Sequence, residues 1–388
     1  MNAALTADER DLLEQSRALV PILAERAAAT RAGRDLPPET MADFHRIGIL
    51  GVLQPRMFGG LQLSFSLFAR IVETLTAGCA SAAWVYAVLG EHQWLLSSYP
   101  LQAQRDVWDE DRLALVSSSL APRAVVQRVP GGWRLSGQFP FSSGSSHSRW
   151  AVIGAFADEQ RSAIAYLLVP FTDIEIIDDW HVLGLAGTGS RSLRVHDAFV
   201  PEHRCVMLAD LLAGTGPGAA VHADYPLVRA PRGLLANYSL PPVAIALGNR
   251  ALAVAIGILQ GKVSRGVTPL AASEFVQMSV AEAAAAIEAA TLTMRTGLAT
   301  AETLIAQGAP IPAELALRAR RDMTYAQHQS QWAVERLVEL CGAQSVYDTD
   351  ALATIRRDML TVLTHNVASR QAAMGPWGRW ALQPVVRA

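Results

Sequence analysis

Between residues 111 and 234 the chain strings together about seven short apolar runs, many of them β-branched, with no helix-length stretch between any two. The runs are LALVSSSLAP, AVVQRV, GGWRLSGQFPF, WAVIGAFA, SAIAYLLVP, IEIIDDW and SLRVHDAFVP, and Gly, Pro, Asp and Ser punctuate them. Strands that follow one another without crossover helices predict a β-sandwich or barrel, not a doubly wound parallel sheet. The flanks read differently. Residues 1–110 carry Ala, Leu, Arg and Glu at helical spacing, as in ERDLLEQSRALVPILAERAAA, with breaks at Pro37-Pro38 and at PRMFGG (55–60). Residues 235–388 return to long Ala-rich helical stretches, which predict a four-helix bundle. The expected order is therefore an N-terminal all-α domain, a central β domain and a C-terminal bundle. The apolar faces of that bundle predict a homo-oligomer.

Composition narrows the classes of function. Hydrophobic residues make up 51% and charged residues 18%, the net charge is −2, and Lys262 is the single lysine. No basic patch points to nucleic acid or a membrane surface. Cys79, Cys205 and Cys341 lie far apart without CxxC spacing, which argues against a disulfide framework or zinc site and fits a reducing cytoplasm. MNAALTADERDLLEQ reads as a helix start with a Thr6-to-Glu9 capping box, not a signal peptide. The apolar run from Val243 is interrupted by Asn249 and Arg250, as expected of a buried helix.

Polar residues concentrate in SGQFPFSSGSSHSRW (136–150), which is either a solvated hairpin or a set of hydroxyls gathered around something bound. VSSSLAP (116–122) ends a strand with Ser117, Ser118 and Ser119, either a plain β-edge or a donor row. GLAGTGS (184–190) precedes a strand, so it lacks the helix N-terminus of a phosphate loop. No HExxH and no nucleophile elbow is present.

Several segments together resemble the acyl-CoA dehydrogenase superfamily over essentially the whole chain: GILGVLQPRMFGG (48–60), SGQFPFSSG (136–144), WHVLGLAGTGSRSLRVHDAFVPEHR (180–204) and LCGAQSVYDTDALATIRRD (340–358). ASAAWVYAVLGEHQW (80–94), the FSSG run followed by a histidine, and the Arg357-Asp358 pair followed by His365 resemble its two-component, reduced-flavin-dependent monooxygenase branch. The resemblance implies an acyl-CoA dehydrogenase-like fold, dissociable reduced FMN or FAD from a separate NAD(P)H:flavin reductase, and O2 as co-substrate. A flavin C4a-(hydro)peroxide would then hydroxylate an aromatic or polyketide-like substrate.

By the same resemblance, Ser142 and Ser143 would hold the isoalloxazine edge, with Ser142 near N5 and O4. Ser117, Ser118 and Ser119 would meet its pyrimidine side, and Arg265 would reach the flavin phosphate. His365, on the last helix, would donate toward the oxygen adduct. His92 would bind or deprotonate a phenolic hydroxyl, and Trp84, Tyr86 and Trp94 would wall a planar substrate. The stretch TVLTHNVASRQAAMG has His365 where a dehydrogenase needs a carboxylate base. An FAD-containing acyl-CoA dehydrogenase and a non-catalytic binding protein of the same fold are the alternatives.

Overall fold

The computed structural model describes residues 5–264 and 268–383. The N-terminal layer comprises helices α1 (Ala7–Gly33), α2 (Pro38–Ile47), α3 (Phe65–Gly78), α4 (Ala80–Ser97) and α5 (Leu101–Trp108). The Glu9 N–H donates to Thr6 Oγ1 at 3.2 Å and the Thr6 N–H to Glu9 Oε2 at 2.9 Å, the capping box expected from the sequence.

Eight strands follow: β1 (Val116–Ser119), β2 (Gln127–Val129), β3 (Gly132–Ser142), β4 (Trp150–Phe156), β5 (Ile164–Pro170), β6 (Ile174–Ile177), β7 (Arg191–Pro201) and β8 (Cys205–Met207). They form two four-stranded sheets of order β1-β4-β5-β8 and β2-β3-β7-β6, with β1 parallel to β4 and the other pairs in these sheets antiparallel. The eighth strand spans only three residues, too few to stand out as an apolar run.

Strand alternation explains the continuous hydrophobicity of β4 and β5. Ala151, Ile153, Leu167 and Val169 face the second sheet with Leu135, Phe139 and Leu193, whereas Val152, Tyr166 and Leu168 pack with Leu95, Tyr99 and Trp108 of the helical layer. The first sheet is thus covered on both faces.

Residues 208–240 form a strap of short turns containing α6 (Leu208–Ala213), α7 (Gly218–Val221) and α8 (Arg232–Leu235). The bundle then consists of α9 (Pro241–Gly261), α10 (Glu274–Ala306), α11 (Ala313–Cys341) and α12 (Ala351–Val362), and α13 (Arg370–Ala381) packs on α11 as a fifth helix. Its interior is continuous with that of α1, α3 and α4. The stretches Arg232–Gly261 and Glu274–Ala306 are long and apolar enough to cross a membrane by length and composition, but Val243 to Leu247 of the first lie inside the core.

Candidate active site

Helix α4 carries apolar residues all around its axis and is almost wholly buried, the pattern of a helix enclosed by other elements. Polar groups on such a helix need partners, and His92 has two. Its Nδ1 lies 2.7 Å from the Val116 carbonyl oxygen and its Nε2 lies 3.0 Å from Ser118 Oγ. A carbonyl only accepts, so Nδ1 carries the proton. In the neutral ring Nε2 is therefore an acceptor, and the Ser118 hydroxyl donates to it. Burial holds the His92 pKa below the ordinary histidine value, opposed by the nearby Glu91 carboxylate. His92 lies more than a turn before the helix ends at Ser97, so the helix terminus does not act on it.

Period-two alternation separates the three serines of β1. Ser118 faces α4, while Ser117 and Ser119 face β3: Ser142 Oγ donates to Ser117 Oγ at 3.1 Å, and Ser119 Oγ donates to the Pro140 carbonyl at 2.6 Å. The β3 end is bulged. Phe139 pairs with Leu193 and Ser142 with Arg191, leaving one extra residue on β3, and Phe141 takes φ 67°. A bulge re-aims the side chains around it. Here it turns the Phe141 ring outward, edge-on to Trp180 at 6.3 Å, and leaves Ser142 and Ser143 buried. Gly144, at φ 68°, then presses the turn against α4; a Cβ there would sit 3.1 Å from Val85 and Leu89 side-chain atoms.

One line of hydrogen bonds runs through that turn with a fixed direction. The Trp84 indole N–H donates to Ser143 Oγ at 3.1 Å, Ser143 lies 2.7 Å from Ser190 Oγ, and Ser190 lies 2.7 Å from Thr188 Oγ1. Thr188 spends its proton on the Leu185 carbonyl at 2.8 Å. Each hydroxyl has a single proton, so Ser190 donates to Thr188 and Ser143 donates to Ser190. Ser143 is left with acceptor capacity only.

His365 lies across Trp84, the two rings meeting edge to face with centroids 5.5 Å apart. It is not on a helix, contrary to the sequence reading: it caps the short turn Asn366–Ala368 between α12 and α13, because the helix breaks after Val362. Thr324, Gln327 and His328 of α11 hold the Val367 and Ala368 carbonyls and so fix the turn. The Val367 N–H donates to His365 Nδ1 at 3.2 Å. In the neutral ring the proton is consequently on Nε2, the tautomer opposite to that of His92. Dense surrounding protein, with Arg320 adding to the effect, pushes the His365 pKa down to about 4. The residue is nonetheless exposed, so water moderates that push.

Of the expected aromatic wall, Trp84 alone borders this cluster. Residues 84 and 86 are about 200° apart around a helix. The Tyr86 ring accordingly points into the helical core between Phe44 and Phe68, and Trp94 packs on Phe65 with its N–H donated to the Leu227 carbonyl. Arg265 lies outside the described residues.

The family model of the acyl-CoA dehydrogenase N-terminal domain matches residues 6–108, and that of the C-terminal domain matches residues 240–370. The chain is 34% identical over 358 residues to the flavin-dependent monooxygenase oxygenase subunit HsaA of Mycobacterium tuberculosis, covering 90% of each chain. The chain belongs to the acyl-CoA dehydrogenase superfamily, in its flavin-dependent monooxygenase branch. It is also 33% identical to the oxygenase component of the FADH2-dependent resorcinol hydroxylase of Rhizobium sp. (strain MTP-10005), over 87% of this chain and 86% of that one. The crystal structure of the M. tuberculosis HsaA monooxygenase superposes with a TM-score of 0.91 at 32% identity, covering 96% of this chain and 97% of the other.

The hydroxyl cluster of this monooxygenase fits a flavin ring. Its members are neutral hydroxyls and an indole N–H, suited to the alternating donors and acceptors of a heteroaromatic edge. The Ser145 hydroxyl in the same turn is buried without a partner among the described residues, and Gly144 keeps the backbone close. Behind the turn, Asp35 accepts from Arg191 at 2.7 Å and meets His147 Nε2 at 3.0 Å, which ties the α1–α2 connection to the β domain. Burial works against the Asp35 charge, but these bonds win and bring its pKa to about 2. Sequence reasoning passed over Thr188 and Ser190, which lie in the GLAGTGS turn, and over Glu91, whose signal was a charge inside a predominantly apolar helix.

Proposed function

We propose that this chain is the oxygenase component that hydroxylates an aromatic substrate bearing a phenolic hydroxyl, using FADH2 or FMNH2 from a separate NAD(P)H:flavin reductase and O2. The observation that carries the reading is the pair of histidines in opposite tautomers, His92 offering a lone pair at Ser118 of β1 and His365 a proton beside the Trp84 ring. The Rhizobium relative supports the substrate class, since resorcinol is a phenol.

Reduced flavin, when bound, supplies the electrons that activate O2 for transfer of one oxygen atom. The chain's own residues do the rest. His92 Nε2 and Ser118 Oγ receive the phenolic hydroxyl, and taking up its proton raises electron density on the aromatic ring. His365 offers Nε2–H to an oxygen atom near Trp84. Ser142 and Ser143, with the β1 serines, hold the cofactor edge, and Ser143 accepts a hydrogen bond there. The apolar walls from Val85 and Leu89 keep water from the reacting atoms. No carboxylate occurs from residue 359 to the end of the chain, which speaks against an acyl-CoA dehydrogenase that places its base in that segment.

Phe275, Met278 and Leu292 on α10, with Trp332 on α11, are exposed apolar side chains, and they support a homotetramer whose mass light scattering would read. Three free cysteines support a cytoplasmic setting.

The test is an anaerobic titration with oxidised and reduced FMN and FAD, followed by admission of 18O2 with resorcinol as the probe. Tighter binding of a reduced flavin and one labelled oxygen in the product are expected. Tight binding of oxidised FAD that an acyl-CoA bleaches would overturn the proposal.

A further inference from the structure

Glu91, His92 and Gln93 are three successive polar residues on the enclosed helix α4, and each is buried. The Glu91 carboxylate is shared. Oε1 is ion-paired to Arg232 on α8, while Oε2 lies 3.6 Å from His92 Nε2. That nitrogen is the one that accepts from Ser118. Four groups on three elements therefore stand in series: Arg232, Glu91, His92 and Ser118. Nothing in the hydrogen bonding of His92 requires the carboxylate, since Val116 and Ser118 already satisfy both ring nitrogens of the neutral form. A negative charge beside Nε2 matters only once that atom carries a proton.

We propose that Glu91 is a positioning residue for proton uptake at His92, stabilising the imidazolium formed when a phenolic ligand gives its proton to Nε2, while Arg232 holds the carboxylate in place and moderates its pull. The inference rests on the phenol-hydroxylation reading above. In this step the Ser118 hydroxyl turns its hydrogen from Nε2 to the phenolic oxygen, the phenol O–H bond breaks and the Nε2–H bond forms; the electron pair of the broken bond stays on the phenolate oxygen, and nothing is oxidised. The site begins neutral at His92 and ends as a phenolate–imidazolium pair, with the Glu91 carboxylate beside the newly protonated Nε2. Without Glu91, the Arg232 guanidinium would face a new buried cation, an arrangement that disfavours the transfer.

The groups facing the imidazole account for both signs. From α4 comes Glu91, from α8 Arg232, and from β1 the Val116 carbonyl and the Ser118 hydroxyl. Tyr166 of β5 and Tyr99 lie next to Arg232 and are held protonated by burial, so they add no charge. The carboxylate favours His92 protonation and the guanidinium opposes it, in agreement with the electrostatic balance at this ring. Arg232 belongs to the strap over α4, so the position of the strap bears on the proton affinity of His92.

The experiment follows His92 by NMR of protein carrying isotope-labelled histidine, with the resonance assigned through His92→Asn, and titrates wild type, Glu91→Gln, Glu91→Asp and Arg232→Met. Glu91→Gln should lower the His92 midpoint by about one pH unit or more. Arg232→Met should raise it, and Glu91→Asp should restore part of the wild-type value. If Glu91→Gln does not fold, the double variant Glu91→Gln/Arg232→Met removes both charges together, and its midpoint should still lie below wild type. A midpoint unchanged by Glu91→Gln, single variants that move it in the same direction, or a double variant at or above wild type would overturn the inference. The acid limb of kcat/KM for a phenol should follow the same order. A wild type that hydroxylates no phenol, with the titrations ordered as stated, would sink the functional reading and leave the proton relation of Glu91 and His92 standing.

Discussion

His92 and His365 are locked in opposite tautomers by backbone groups alone: the Val116 carbonyl fixes the proton of His92 on Nδ1, and the Val367 N–H fixes that of His365 on Nε2. Neither assignment depends on a ligand. One ring presents a lone pair and the other a hydrogen, which is the division of labour that a base and a hydrogen-bond donor require when both stay neutral. Side-chain partners come second. Ser118 follows the tautomer of His92, and Trp84 orients His365 by edge-to-face packing.

That division predicts a pH profile. The form of His92 that accepts a proton is the neutral one, and burial holds its pKa below the ordinary value of about 6.5. The acid limb of kcat/KM should therefore lie below pH 6.5. His92→Gln keeps the size and polarity of the side chain but cannot take up a proton, and it should lower kcat/KM by about 10²–10⁴-fold. The check is a kcat/KM series from pH 5 to pH 9; an acid limb above about pH 7 in wild type would contradict the neutral-base assignment.

The directed line from Trp84 to the Leu185 carbonyl predicts a preference between redox states of the flavin. Ser143 spends its proton on Ser190 and can only accept, so it suits the reduced ring, which carries an N–H, better than the oxidised ring, which offers a lone pair. Ser190→Ala frees the Ser143 proton. The ratio of reduced to oxidised affinity should then fall by about tenfold, the equivalent of one hydrogen bond. Anaerobic fluorescence titrations with both redox states read it directly, and an unchanged ratio would remove the line from the account.

The architecture was legible because two periodicities meet at sharp borders, near residue 110 and again near 240. Within the site, the serine-rich turn and both histidines were legible as residue types, but three things depended on geometry. The bulge at Phe141 sets which hydroxyls face inward, and nothing in FPFSSG states that a phenylalanine will take a positive φ. Helical phase separates Trp84 from Tyr86, which a run of aromatics disguises. The end of α12 at Val362 leaves His365 on a turn, although the apolar pattern continues past it. The strap over α4 stayed opaque for another reason. Its Gly and Pro residues mark turns without fixing their contacts, so the Arg232–Glu91 pair was beyond local pattern reading.

Asp35 couples the α1–α2 connection to the serine turn through Arg191 and His147, and its carboxyl titrates near 2, below the unfolded value of 3.8. A depressed carboxyl stabilises the fold above the unfolded pKa and loses that contribution as pH falls through the folded one. The contribution should be complete above about pH 4 and decline toward pH 2, with a size of about 2 kcal/mol. Asp35→Asn should lower stability by that order at pH 7 and flatten its dependence on pH across the window. Urea unfolding of both proteins from pH 2 to pH 7 measures the difference; equal slopes would mean that the contacts are too weak to matter.

Tyr86 supplies the last prediction, because it separates a core role from a substrate wall. Its ring packs between Phe44 and Phe68, and its hydroxyl is buried with no hydrogen-bond partner among the described residues. Such a group loses its water on folding and gains nothing in return. Tyr86→Phe removes that penalty and keeps the ring, so stability should rise by about 1 kcal/mol and kcat/KM should be unchanged. Trp84→Phe makes the contrast: it removes the indole N–H at the head of the hydroxyl line and weakens the contact with His365, so flavin affinity and turnover should both fall. Thermal unfolding and steady-state kinetics on the two variants give the answer together. If Tyr86→Phe impaired turnover while Trp84→Phe did not, the substrate would have to lie on the opposite face of α4 from the serines, and the site described here would be misplaced.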